Sequence, residues 1–140
     1  MYGIPDTIRP LSGAEEAVML AVWASRAPIT RQEIARHLEQ KTWADATLLN
    51  FLYRLEEKGW VKSSKERNRN VYTPCVTRRA YGVWCMRERL GTLFGGDLAA
   101  AVYALTSESG SGRAQLESAR RVLDEKLSET EEYDLYDPYG

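Results

Sequence analysis

At 140 residues, 44% hydrophobic and 28% charged, the chain is long enough to bury a core without disulfides or metals, and its composition is that of an ordinary globular protein. Its apolar runs fall short of the roughly 20 residues a membrane span needs, and MYGIPDTIRP at the start lacks the apolar centre of a signal peptide, so a cytoplasmic location without membrane insertion is expected. The net charge of −1 conceals an uneven distribution: residues 60–90 carry eight Lys/Arg against Glu66 and Glu88 (+6), while residues 107–140 carry nine acids against four bases (−5).

Residues 1–10, with Pro5 and Pro10, read as an irregular arm. Ser12 and Glu15 have the spacing of a capping box, which opens a first helix to about Ser25. Ala14, Val18, Ala21 and Val22 form its inward stripe. Ala27-Pro28 breaks this helix. Thr30 and Glu33 make a second capping box and start a short helix to about Leu38. After the polar connection Glu39–Thr42, a third helix begins near Ala44 or Asp45, with Leu48, Phe51, Leu52 and Leu55 on one buried face. Lys58-Gly59 is a stop signal: a cation at the negative end of the helix dipole, then a residue suited to a left-handed cap.

Beyond Gly59 the period changes to two. Residues 60–63 and 70–73 read as short strands around the charged tip 65–69, and Pro74 ends the second. Thr77 caps a fourth helix to about Phe94, Gly95-Gly96 interrupts it, and Asp97 caps a fifth. Residues 107–112 (SESGSG) read as a flexible linker. Leu116, Ala119, Leu123 and Leu127 mark a last helix, and 129–140 read as an acidic disordered tail.

Three helices followed by a basic hairpin is the order of a winged helix-turn-helix. The expected fold is mainly α with a small β-hairpin wing: an arm (1–10), a winged-helix domain (11–75), a helical dimerisation region (76–128) and the tail (129–140). In such a fold the third helix offers its non-core face to a major groove, and the hairpin runs along phosphates, where Lys and Arg displace condensed counterions.

That arrangement nominates residues. Thr47 and Asn50 lie one turn apart, away from Leu48 and Leu52. Asn can read adenine through two bonds, and the Thr methyl can meet that of thymine. Arg54 either binds phosphate or pairs with Glu57 or Glu33. Thr30 and Arg31 open the second helix, whose N–H groups favour a phosphate. Lys62, Lys65, Arg67 and Arg69 are the wing contacts. Trp43 either stacks at the DNA backbone or packs as a hinge, and Arg9 belongs to a loose arm or enters a groove. Tyr81, Trp84, Leu90, Leu93, Phe94, Leu98, Val102 and Leu105 are too many large apolar groups for a short appendage to hide, which points to a dimer interface extended by Leu116, Leu123 and Leu127. His37 has no acid or cysteine cluster around it and reads as a surface residue. Cys75 and Cys85 match no zinc spacing. No triad, phosphate loop or paired-carboxylate motif is present, so neither an enzyme nor a cofactor or metal is expected.

The segments LSGAEEAVMLAVW (11–23), ITRQEIARHL (29–38), WADATLLNFLYRLEEKGWV (43–61), VYTP (71–74) and LFGGDLAA (93–100) together resemble the BlaI/MecI penicillinase repressors and their copper-responsive CopY relatives. Trp43, Thr47, Leu52, Arg54, Leu55, Glu57, Lys58 and Gly59 meet the family pattern. The resemblance implies a homodimer held by C-terminal helices on a palindromic double-stranded DNA operator, and in one branch a membrane sensor protease system that triggers induction by cleavage. The chain departs from the family in three places. It has no Cys-x-Cys for copper; Ala104-Leu105 stands where an Asn-Phe bond is cut; and the third helix opens Trp43-Ala44-Asp45-Ala46 rather than Trp-Ser followed by polar or basic residues. Two further readings stay open: a winged-helix protein-interaction module that uses the acidic, Tyr-rich tail, and a DNA-binding regulator that responds to a small molecule.

Overall fold

A computed structural model describes residues 8–38, 41–108, 110 and 112–135. Residues 1–7 of the expected arm, Glu39 and Gln40 of the polar connection, Ser109 and Ser111 of the expected linker and 136–140 of the expected tail lie outside the described residues. The elements run α1 (Gly13–Ala24), β1 (Ile29–Thr30), α2 (Arg31–Arg36), α3 (Asp45–Glu57), β2 (Val61–Glu66), β3 (Arg69–Pro74), α4 (Arg78–Phe94), α5 (Leu98–Glu108) and α6 (Arg113–Leu135). The three strands form one antiparallel sheet in the order β1-β3-β2. This is the winged-helix order, mainly helical with a small β-wing.

Both capping boxes form. Ser12 Oγ accepts from the Glu15 N–H at 3.2 Å while the Ser12 N–H donates to Glu15 Oε1 at 2.8 Å. Thr30 and Glu33 repeat the exchange at the start of α2. α3 differs: its N-cap is Ala44, which offers no side-chain acceptor, and Asp45 does not take over that role. Packing compensates. Leu48, Leu52 and Leu55 are buried along one face of α3, and each fully buried aliphatic contributes about 1.5–3 kcal/mol, against the roughly 1 kcal/mol of a cap. At the other end, the Trp60 N–H donates to Leu55 O and the Gly59 N–H to Glu56 O, with Gly59 at φ +90°. That double closure needs the left-handed conformation glycine tolerates.

The core of the first part of the chain gathers Val18, Met19 and Val22 of α1, Ile34 of α2, the α3 leucines, Trp60, Val61, Tyr72 and Val76. β1 is an element the sequence pattern did not suggest. Two residues long, it pairs Ile29 with Tyr72 and Thr30 with Val71, which ties the start of α2 to the wing. The strands also run further than expected, so the turn contracts to Arg67-Asn68, both at positive φ. Two left-handed residues are what a two-residue hairpin turn requires.

The last residues of the expected arm are anchored, not loose. The Trp60 indole N–H donates to Arg9 O at 2.7 Å, and Lys58 Nζ donates to Pro10 O at 3.3 Å. Ile8 and Leu11 pack against the core.

The chain divides into two units, Met1–Arg89 and Leu90–Gly140, and the division falls inside α4. In the second unit the Gly96 N–H donates to Leu90 O, and Asp97 Oδ1 accepts from the Ala100 N–H to cap α5. α5 extends through Ser107 and Glu108, so the linker is shorter than its composition suggests. α6 continues past residue 129 to Leu135, into the segment expected to be an irregular tail. No helix among the described residues is long and apolar enough to cross a membrane.

Candidate nucleic-acid interface

α3 is amphipathic, and its buried stripe fixes what the rest of the helix presents. Ala46, Leu49, Asn50, Tyr53 and Arg54 are exposed, whereas Thr47 is half-buried. Of the two expected base-edge residues, Asn50 therefore stands on the open face and Thr47 at its margin. Leu49 and Tyr53 share that face, Tyr53 with 63% of its surface exposed. Leu49 has no polar group and Tyr53 only its hydroxyl, and the burial pattern of the folded helix brings both forward.

The start of α2 and the wing flank this face. Arg31 and Gln32 of α2, Leu49 of α3 and Asn68, Arg69, Asn70 and Tyr72 of the wing line one groove of about 320 Å³. Thr30 is committed to capping: its hydroxyl contacts Glu33 Oε1 at 3.0 Å and accepts from the Glu33 N–H. Arg31 is largely covered and sits 4.0 Å from Asp45 Oδ2, so the first turns of α2 and α3 are linked by opposite charges.

Glu56, near the end of α3, accepts from both the N–H and the hydroxyl of Ser63, at 3.2 and 2.8 Å. These bonds seat the wing against α3. Because side chains alternate along a strand, Lys65 shares the face of Ser63, while Lys62 falls on the opposite one. Arg67 stands at the turn. All four expected wing cations are exposed. Burial pushes the Tyr72 hydroxyl pKa up, with the nearby Glu56 carboxylate adding to the effect, so Tyr72 stays neutral under the wing.

Arg54 lies with its guanidinium 5.8 Å from the Phe51 ring centroid; Glu33, one of its two expected acid partners, is occupied by Thr30. The Trp43 ring lies 4.9 Å from that of Phe51, with Lys41 Nζ 5.8 Å from the Trp43 centroid. His37 is exposed and shares a 2.8 Å hydrogen bond with Ser25.

Tyr81 and Trp84, expected at a subunit interface, are half-buried and make ring contacts within the first unit. The Tyr81 ring meets Trp60 edge-on at 5.3 Å and Trp23 at 5.7 Å, and Trp84 stacks on it at 6.3 Å. Its hydroxyl donates to the Glu16 carboxylate, and burial together with that bond pushes its pKa far up. The aromatic cluster locks the start of α4 to α1. The remaining expected interface residues behave differently. Leu93, Phe94, Leu98, Val102, Leu105, Leu116, Leu123 and Leu127 are exposed, Leu98 at 58% and Leu127 at 60%; Leu90 is half-buried. Among the described residues no cluster of three His, Cys, Asp or Glu is placed to hold a metal ion.

The family described as penicillinase repressor matches residues 11–125. A penicillinase repressor of Bacillus licheniformis is 25% identical over 125 residues, spanning 89% of this chain and 98% of that protein. A solved structure, the monomeric form of BlaI from Bacillus licheniformis in complex with the blaP half-operator, is 33% identical over 53% of this chain and 90% of that one, with a TM-score of 0.46.

Proposed function

The chain belongs to the penicillinase repressor family, and from that premise we propose that it is a dimeric, DNA-binding transcriptional repressor without enzymatic activity. The observation that carries this reading is the convergence of Arg31, Leu49, Asn68, Arg69 and Asn70, from three separate elements, on one concave face beside the open side of α3. A groove flanked by cations next to an exposed helix face matches a duplex: phosphates on the rim, base edges under the helix.

In this account α3 enters the major groove and presents Asn50 to a base edge. Arg31, Lys65, Arg67 and Arg69 neutralise phosphates and supply most of the affinity. The exposed apolar residues of α5 and α6 cover one another across a two-fold axis, which places two recognition helices about 34 Å apart on a palindromic operator. Ala104-Leu105 in α5 occupies the place of the Asn-Phe bond that is cut in the beta-lactam branch, so the sensor protease of that branch has no such bond to cut at that place. The release signal on this reading therefore differs from cleavage at that bond.

The direct test is retention of genomic fragments by the full chain, followed by anisotropy titration across a salt series. Sequence-preferring binding with a steep loss of affinity as salt rises supports the reading; binding that ignores salt and sequence, or none, overturns it.

A further inference from the structure

Asp45 opens α3 with a carboxylate, on the helix proposed to enter the major groove, where phosphates repel negative charge. Its side chain is 82% exposed. Helix capping does not consume it, since the N-cap position is Ala44 and makes no side-chain bond. Its contact with Arg31, 4.0 Å from Nη1 to Oδ2, is longer than a hydrogen bond, so both oxygens keep lone pairs to offer. Arg31 nonetheless places a positive charge beside the carboxylate, which offsets repulsion from the backbone and biases its position toward α2.

We infer that Asp45 is a specificity-determining residue that accepts a hydrogen bond from the exocyclic amino group of a cytosine at one fixed position of each operator half-site. This rests on the reading of α3 as the helix in the major groove. The chemistry of base edges selects cytosine. Guanine offers N7 and O6 and thymine O4, all acceptors that repel a carboxylate. Adenine offers one amino group, but beside the acceptor N7. Cytosine alone presents an amino donor with no acceptor on its own major-groove edge, the nearest being O6 of the paired guanine. The selection is therefore as much rejection as attraction: a carboxylate left facing an acceptor has lost water and gained no partner. The neighbouring exposed residues Ala46 and Leu49 have no hydrogen-bonding side chains.

An acid in the first turn also favours the helix dipole. That effect acts on every DNA sequence alike and leaves base preference untouched, which separates the two roles. The experiment is selection of half-sites from a randomised duplex pool by the full chain, its Asp45→Ala variant and its Asp45→Asn variant, followed by anisotropy on single-base substitutions. The native chain is expected to fix one cytosine per half-site, with other bases there binding about tenfold more weakly. Asp45→Ala is expected to flatten that single position to within about twofold while the others keep their preference. Asp45→Asn is expected to move the preference there to adenine, which asparagine reads through N6 and N7. A selected half-site in which neither variant changes the preference at any position, or a uniform loss across all positions, overturns the assignment while leaving DNA reading intact. Failure of all three proteins to select any sequence overturns both.

Discussion

The Lys58 ammonium lies 2.6 Å from Glu15 Oε1, joining the end of α3 to the first turn of α1. In sequence these residues read as two separate local signals, a helix stop and a capping-box acid. In the fold they are one ion pair, with the Glu15 side chain only 3% exposed. Burial by itself pushes the Glu15 carboxyl up, but hydrogen bonds from Lys58 and Ser12 outweigh it and hold the group below its ordinary value.

Lys58→Met leaves that carboxylate buried without its cation. Loss of about 1–3 kcal/mol is expected in urea unfolding at neutral pH. A carboxyl held low in the folded state stabilises it above the ordinary carboxylate range near pH 4.3 and loses that contribution as pH falls through the folded value. The gap between the native chain and Lys58→Met should thus be widest at neutral pH and narrow in acid. Glu15→Gln in the Lys58→Met background should recover part of the loss; a double variant no better than Lys58→Met contradicts the pairing.

Asn50→Ala should weaken binding to the preferred operator by about 1–3 kcal/mol and relax preference at one position, with little change on unrelated DNA. Thr47→Ala, at the half-buried margin of the same face, should cost less binding than Asn50→Ala. Anisotropy on matched and single-base-substituted duplexes measures both.

The two strand lysines of the wing should separate. Lys65 shares the strand face of Ser63, which is bonded to α3 through Glu56, and Lys62 does not. Lys65→Ala is expected to reduce the slope of log K against log salt by about 1, equally for all sequences, whereas Lys62→Ala should leave it nearly unchanged. Equal slopes for the two variants would refute the assignment of a phosphate contact to Lys65 rather than Lys62.

Leu98→Glu and Leu127→Glu should each convert the dimer to monomer in sedimentation, because a charge in an apolar subunit interface loses its water without a partner. Tyr81→Phe should leave the dimer intact and lower stability by about 1–2 kcal/mol, since its hydroxyl bonds Glu16 inside the first unit.

The local signals that survive folding are those set by neighbours along the chain. Ser12 with Glu15, Thr30 with Glu33, the α3 stripe and the Gly59 stop depend on residues within a turn or so of one another, and each forms as its spacing implies, except that Phe51 at the edge of the stripe is only half-buried. What the sequence hides depends on long-range pairing. β1 is two residues that become a strand only because β3 is beside them. Arg9 and Pro10 look like an unattached arm until Trp60 and Lys58 reach them from some fifty residues away. Tyr81 belongs to an apolar helical stripe that fits an interface equally well, and only the positions of Trp23, Trp60 and Glu16 assign it to the first unit. On the candidate interface, charge made the wing cations and Arg31 legible, while the exposure of Leu49 and Tyr53 follows from which side of α3 the core takes.

The central claim is a dimer that reads two half-sites with two copies of α3. Its most direct test is titration of the full chain against duplexes carrying the selected half-site once, twice as an inverted repeat one helical turn apart, and twice with five base pairs inserted between. The account predicts two chains bound per inverted repeat at one-turn spacing, with far weaker binding to the single half-site and to the five-base-pair insertion, where the second half-site faces the wrong side of the helix. Equal affinity for all three duplexes, with one chain per half-site, would contradict it.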